Sequence, residues 1–382
     1  MKNNEFQKQN LRTWIEINRR ALKNNCGVFR RLIGPKCLLM AVVKSNAYGH
    51  GLINFSRAAE NFGVDWFGVD SIVEAKSLRK AGLKKPILVL GYTLQSNIKD
   101  AIENNISLTI ADFSSLKNLK NINKRGDKLK IHLKIDTGMN RQGFFVSGIP
   151  AVIKILKSQS NIRLEGVYTH FSSAKNPAFP SATLHQIEEF KKAINLFGST
   201  GFKEFIKHAA ATAGAIIFPQ SHFDLVRIGI GFYGLWPSKE TREAFKNKIK
   251  LEPVLSWKTI VSQIKKLPKG SKVGYDLTET LDRSSNIAIL PIGYWHGFPR
   301  ALSGIGKTLI NGKNAKVIGR VSMDMISVDV TNIKNVKVGD EAVLIGKSGK
   351  LEISADDVAY LSDTINYEIA TRLNPLIKRI VV

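Results

Sequence analysis

Five places in this 382-residue chain combine a chemically capable side chain with the end of a short apolar run. Lys44 follows LLMAVV (38–43) and opens SNAYGHG; Asp136 follows IHLKI (131–135) and opens TGMNRQGF. Thr169-His170 follow LEGVY (164–168), AAATAG (209–214) continues FIKHA (205–209), and Arg227 sits within LVRIG (225–229) ahead of another glycine-rich turn. A lysine desolvated at a strand end frees its amine for Schiff-base chemistry; the alternative is a phosphate-binding or structural lysine. Gly49-His50-Gly51 gives a tight turn over a bound group. Thr212 with Ala213-Gly214, and Gly229 with Gly231, are small residues of the kind that cradle phosphate. No Asp/Glu pair joins them, which argues against a glycosidase, and the seven histidines lack metal-ligand spacing, so no metal is expected. An amine, a phosphate cradle and no metal point to pyridoxal 5′-phosphate. Arg227 then becomes informative. A permanent cation donating to the pyridine nitrogen leaves it unprotonated and makes the ring a poorer electron sink, which suits racemisation better than transamination.

Positioning these residues requires a regular scaffold. Eight short apolar runs occur between residues 38 and 229: the five above plus WFGV (66–69), ILVL (87–90) and SLTI (107–110). Each reads as a strand buried on both faces. The spacers are long enough for helices: 71–85 places Val73, Lys76-Ser77 and Ala81 in helical rhythm and stops at Gly82. Eight β-α units predict a (β/α)8 TIM-type barrel, with a doubly wound sheet as the alternative. Barrel chemistry sits at the C-terminal strand ends, where the residues above fall. After about residue 245 the rhythm changes to strands at 258–267, 286–295, 307–330 and 340–353, with Asn311-Gly312 as a hairpin turn. Ser354 and Asp357 form a capping box ahead of one last helix, 355–373. The expected domains are therefore a barrel over 11–245 and a mostly-β domain over 246–382, with residues 1–10 packing on it.

Composition narrows the class. With 43% hydrophobic and 23% charged residues, 30 Gly and 12 Pro, the chain is neither disordered nor collagenous. No stretch is apolar enough to span a membrane, and the N-terminus lacks the apolar segment of a signal peptide. Cys26 and Cys37 form neither a CxxC pair nor a disulfide framework, as expected of a cytoplasmic protein. The net charge of +26 invites a nucleic-acid reading, but the excess is spread, +18 over residues 1–240 and +8 over 241–382. Its densest runs, Lys124-Arg125 with Lys128 and Lys130, and Lys246, Lys248 and Lys250, carry no aromatic interleaving, which reads as a solvated surface.

The blocks together resemble the alanine racemase family of fold-type III pyridoxal phosphate enzymes. AVVKSNAYGHG (41–51), KIDTGMNRQGF (134–144), YTHFSSA (168–174), VRIGIGFYG (226–234), VGYD (273–276), PIGYWHGFPR (291–300), GRVSMD (319–324) and NYEI (366–369) occur in the family's order. The likeness covers roughly residues 11–380. It implies an L-/D-alanine racemase with two bases, supplying D-alanine for peptidoglycan. Lys44 would hold the cofactor and act as one base; Tyr275, from the partner subunit of a head-to-tail homodimer with shared sites, would be the other. His170 would bond both Arg227 and Tyr275. Arg141 would face the cofactor's phenolic oxygen and the substrate carboxylate, which would also take the Met323 backbone N–H. Lys134 matches the family's carbamylated lysine. Tyr48, Thr212, the backbone of Gly229 and Ile230, and Tyr367 would hold the phosphate, and Tyr294 and Asp324 would line the entrance.

Two positions depart from the family pattern. Ala211 stands where asparagine is usual, removing a polar contact near the phosphate, and His296 replaces the usual aspartate of the GY block, touching the entry corridor. Other readings are a racemase of broader specificity (serine or basic amino acids), a non-catalytic pyridoxal phosphate-binding regulatory protein, which would lack the second domain and Tyr275, and a basic nucleic-acid binder.

Overall fold

The computed structural model describes residues 10–121 and 128–382; residues 1–9 and the Lys124-Arg125 pair lie outside them. The chain divides into two compact units. Among the described residues, one consists of Arg20–Ala47 and Leu52–Glu252; the other of residues 10–19, Tyr48–Gly51 and Pro253–Val382.

The first unit is a parallel barrel. Its strands are β1 (Leu38–Val42), β2 (Trp66–Val69), β3 (Ile87–Val89), β4 (Ser107–Ile110), β5 (Leu129–Asp136), β6 (Ile162–Tyr168), β7 (Ile206–His208) and β8 (Leu225–Ile228). All eight coincide with the apolar runs. They pair in sequence, and β8 pairs with β1. Closure between β7 and β8 rests on the Asp224 N–H to Lys207 oxygen bond, the Arg227 N–H to Ala210 oxygen bond (3.0 Å each) and a bridge between Ala211 and Arg227. Both faces of β2, β3, β4 and β8 are buried, which explains why the strands read as continuous apolar runs instead of alternating ones.

Helix Ile72–Lys80 is capped by Ser71, whose side chain accepts the Glu74 N–H, and ends ahead of Gly82, at φ +86°. Its buried stripe is Ile72, Ala75 and Leu78. Val73, expected on that stripe, is 70% exposed; the apolar face is set by the i, i+3, i+6 row, one residue out of phase with the sequence reading.

The second unit is built on a ten-stranded sheet. Strand Leu255–Ile260 pairs with Glu341–Ser348 on one side and Thr13–Ile17 on the other, and Thr13–Ile17 also pairs in parallel with Lys378–Val381. The two units differ from the expected domains: the N-terminal strand is a member of the β sheet, not the start of the barrel, and the division falls at 252/253. The hairpin at Asn311-Gly312 joins Lys307–Ile310 to Lys313–Ile318 with φ of +50° and +70° at the two turn residues, the conformation that favours Asn-Gly. The Ser354–Asp357 capping box forms, each partner bonding the other's backbone N–H at 2.8 and 3.1 Å. The single helix expected after it is two, Ala355–Leu361 and Asn366–Thr371. Asp363 turns left-handed between them, at φ +52°, a conformation short polar side chains tolerate and helices do not. Among the described residues no helix is long and apolar enough to cross a membrane.

Candidate active site

Lys44 lies just beyond β1, where the backbone leaves the strand for a left-handed turn. Ser45, Asn46, Ala47 and Tyr48 have φ of +55°, +56°, +52° and +50°. Four L-residues in this region cost on the order of 4–8 kcal/mol together, so the surroundings must impose the shape. They do so through side chains. Asn46 Oδ1 accepts the Leu52 N–H at 2.8 Å. The Glu74 carboxylate accepts the Asn46 N–H at 3.3 Å and the Asp70 N–H at 2.9 Å, tying the turns after β1 and β2 together. The glycines place the expected tight turn at Gly49–Gly51, but the left-handed path starts four residues earlier, and Glu74 carries no signal in the sequence because its spacing is that of an ordinary helix surface. Lys44 Nζ stands 3.4 Å from Asp70 Oδ1 with 39% of its side chain exposed. It is half-buried, not fully desolvated as the sequence reading supposed, because the strand stops at Val42.

Strands β5, β6 and β8 bring a cationic group together. Arg227 is buried, and its guanidinium donates from Nη1 to His208 Nδ1 (2.9 Å) and from Nη2 to the Thr169 and Ala209 carbonyls (2.8 Å each) and His170 Nδ1 (3.2 Å). It also lies over the Tyr168 ring, 5.1 Å from its centre. Burial pulls Arg227 down to about 10, so it stays charged at neutral pH, and among the described residues it has neutral partners instead of a carboxylate. Because arginine only donates, His170 must present a lone pair at Nδ1 and carry its proton on Nε2. Burial and then the charges of Arg227, Arg141, Lys134 and Lys44 push His170 down to about 3, which fixes it as a neutral ring. Lys134, buried on β5 and bonded to Gln142 Oε1 at 3.3 Å, falls to about 8 through burial and the Arg141 and Arg227 charges. Asp136 offers little compensation: its Oδ1 accepts the N–H groups of Gly138, Met139 and Asn140, 3.0 Å each. Arg141 itself is exposed. Four cations around one neutral imidazole, with the nearby carboxylate occupied by backbone, form a donor set suited to an anionic ligand.

After β7 and β8 the chain stays small. Thr212 is buried and its hydroxyl accepts the Gly231 N–H at 3.3 Å, while still carrying a proton to donate; Gly229 and Ile230 precede this turn and are buried with it. A Cβ at Gly231 would come within 2.4 Å of the Phe29 ring. Ala211 occupies the N-cap of helix Thr212–Ile217 in extended conformation, with no side-chain cap. Ala211→Ser supplies the missing oxygen and is expected to raise stability by about 1 kcal/mol, read as a higher denaturant midpoint at unchanged slope; no shift would mean the space at residue 211 does not admit the cap.

The remaining expected residues belong to the second unit. Tyr48 and Tyr367 have ring centres 6.1 Å apart; burial pushes Tyr48 up to about 12, and Tyr367 rises through burial and the neighbouring Tyr48. Both hydroxyls are therefore protonated donors at neutral pH. Arg379 holds the Gly49 carbonyl from Nε and Nη2 at 3.1 and 2.9 Å. Met323 and Asp324 sit beside Tyr294, since the Tyr294 and Trp295 N–H groups bond the Ser322 and Met323 carbonyls at 3.1 Å. His296, expected to touch the entry corridor, is a buried ring whose Nδ1 accepts the Gly293 N–H at 3.2 Å and lies 3.9 Å from Asp324 Oδ1. Tyr275 is 71% exposed, followed by left-handed Asp276 and Leu277; Asp276 is paired to Arg320 at 3.1 Å.

This is a barrel carrying a strand-end lysine and an arginine–histidine cluster, joined in one chain to a β unit. The comparisons give it a family. Residues 17–237 match the alanine racemase N-terminal domain and residues 254–381 the alanine racemase C-terminal domain. The alanine racemase of Leptospira interrogans is 40% identical over 97% of this chain and 96% of its own, and that of Desulforamulus reducens 39% identical over 97% and 98%. The crystal structure of alanine racemase from Bacillus anthracis with bound L-Ala-P superposes with a TM-score of 0.92 at 35% identity, over 97% of this chain and 95% of that one. The chain belongs to the alanine racemase family, whose members are isomerases.

Proposed function

We propose that this chain interconverts L- and D-alanine with pyridoxal 5′-phosphate as cofactor. The observation that carries the reading is the arrangement around Arg227: a buried guanidinium with neutral partners, facing His170 among Lys44, Lys134 and Arg141. When bound, the cofactor supplies an electron sink that acidifies the α-carbon of the amino acid. Lys44 holds the cofactor and serves as one base. Thr212, the backbone of Gly229 and Ile230, and the Tyr48 and Tyr367 hydroxyls hold the phosphate. Arg227 would donate to the pyridine nitrogen of the bound cofactor and keep it unprotonated. Arg141 would face the phenolic oxygen and, with the Met323 N–H, the substrate carboxylate. Tyr294 and Asp324 line the entrance.

Inversion requires that a proton leave one face of the α-carbon and arrive on the other. Lys44 serves one face and Tyr275 the second. The neutral His170, with its proton forced onto Nε2, donates to the Tyr275 oxygen and stabilises its phenolate. Exposure of Tyr275, Leu277 and Met323 supports a head-to-tail homodimer in which each subunit's Tyr275 completes its partner's site. The cytoplasm, with D-alanine drawn into peptidoglycan, is the setting this reading gives. Purified protein supplied with pyridoxal 5′-phosphate should convert L-alanine to the racemate; parallel assays with serine and lysine decide between an alanine-selective and a broader racemase. Cofactor uptake without D-alanine would leave a binding protein instead.

Lys134 should carry a carbamate. At a pKa of about 8 its neutral amine is populated near physiological pH. That amine adds to the carbon of carbon dioxide and releases one proton, replacing a cation that Arg141 repels by an anion that Arg141 attracts. Carbon-13-labelled bicarbonate should give a carbamate resonance that grows as pH rises toward 8 and is lost in Lys134→Ala. A free amine under saturating bicarbonate would remove this assignment.

A further inference from the structure

Beneath Arg227 the barrel interior holds a second polar chain that the proposed mechanism does not use. His208 on β7 receives Arg227 Nη1 at its Nδ1. Its Nε2 lies 2.9 Å from His132 Nδ1 on β5, and His132 Nε2 lies 3.3 Å from Glu165 Oε2 on β6. The same Glu165 oxygen accepts the Ser107 hydroxyl, and Lys130 Nζ stands 3.9 Å from Oε1. Both histidines are fully buried, whereas 13% of the Glu165 side chain reaches solvent.

This chain is built. The pairing of β5 with β6 slips between Ile131↔Leu164 and His132↔Gly166, leaving Glu165 as the extra residue of a bulge, a device that re-aims a side chain. The next residue, Gly166, clears the space for the imidazole: a Cβ there would lie 2.2 Å from His132 Nδ1. Tyr168 stacks on His208 at 4.8 Å and Trp66 meets the His132 ring edge-on at 5.4 Å, so neither ring has room to turn.

The chemistry allows one direction only. Arginine cannot accept, so His208 Nδ1 is a lone pair. Burial holds both rings neutral. His208 then carries its proton on Nε2 and donates to His132 Nδ1, and His132 carries its proton on Nε2 and donates to the Glu165 carboxylate. A proton on the wrong nitrogen of either ring would set N–H against N–H in the barrel core.

We propose that Glu165 is a positioning residue for Arg227, acting across the barrel through His132 and His208 as a one-way hydrogen-bond relay. Arg227, which only donates, sets the tautomers of His208 and then His132; the Glu165 carboxylate accepts the last proton of the chain and so holds His132, and through it His208, in the orientation on which the guanidinium rests. Its effect on turnover rests on the reading of Arg227 above; the tautomers themselves do not.

Neutron diffraction from deuterated crystals tests the relay without any turnover. Deuterons are expected on Nε2 of both His132 and His208, with bare Nδ1 atoms, in the parent and in Glu165→Gln, whose amide oxygen still accepts. A deuteron on Nδ1 of either ring, in either protein, overturns the proposal. The functional arm compares Glu165→Gln with Glu165→Leu. A displaced guanidinium is expected to lower kcat of Glu165→Leu by about 10–100-fold, with Glu165→Gln close to the parent. A folded Glu165→Leu at parental kcat overturns the positioning role. If Glu165→Leu does not fold, Glu165→Asp, which draws the carboxylate one methylene back from His132 Nε2, takes its place, and parental kcat in it overturns the positioning role; a protein that shows the predicted tautomers yet racemises nothing would refute the functional reading and not the relay.

Discussion

Tyr275→Phe should fold, bind cofactor and lose about 10²- to 10⁴-fold in racemisation, the range for removal of a general acid–base group. The substitution removes one oxygen from a 71% exposed side chain, so little stability is at stake and the loss reports chemistry. It should be larger in the direction in which Tyr275 abstracts the α-proton, from L to D. The shared-site arrangement adds a sharper expectation. Lys44→Ala and Tyr275→Phe should each be nearly inactive as homodimers, yet mixing them under subunit exchange should restore activity. A mixed dimer has one site with both lesions and one with neither. Statistical exchange makes half the dimers mixed, so recovery should approach about a quarter of parental activity. Exchange proven by mass with no recovery would place both bases in one subunit or dismiss Tyr275.

Arg227→Glu should redirect the reaction. The substitution removes every donor now bonded to His208, His170 and the Thr169 and Ala209 carbonyls, so racemisation should fall by about 10²-fold or more, as when a preorganised charged donor is lost. A carboxylate at this position also favours a protonated pyridine nitrogen and a deeper electron sink, which lengthens the life of the deprotonated substrate. With the cofactor bound, that change would favour transamination, and pyruvate release should rise relative to racemisation. A variant that folds and binds the cofactor, with no long-wavelength absorbance in the presence of alanine and no added pyruvate, would remove the ring-nitrogen role from Arg227.

The barrel was legible because strands buried on both faces must be apolar throughout, and ILVL at 87–90 or SLTI at 107–110 fits few other structures. Lys44 and Arg227 were legible because strand ends are where such a scaffold exposes polar groups. The rest depends on partners distant in sequence. Thr13–Ile17 alternates like any strand, and only its pairing with Leu255–Ile260 and Lys378–Val381 assigns it to the β sheet. The left-handed path at Ser45–Tyr48 leaves no mark, since serine, alanine and tyrosine do not favour it and the bonds from Asn46 and to Glu74 are what hold it. His132 and His208 read as apolar-run histidines, and the bulge that aims Glu165 at them is a register slip no single strand reveals.

Borohydride reduction of the protein with pyridoxal 5′-phosphate bound, followed by peptide mapping, tests most directly whether this chain's chemistry is centred on the lysine after β1. Reduction fixes the cofactor to the amine that holds it. The account predicts a single modified peptide, the one containing AVVKSNAYGHG, with the label on Lys44 and none in Lys44→Ala. A label on any other lysine, or on none while the cofactor remains bound, would contradict it.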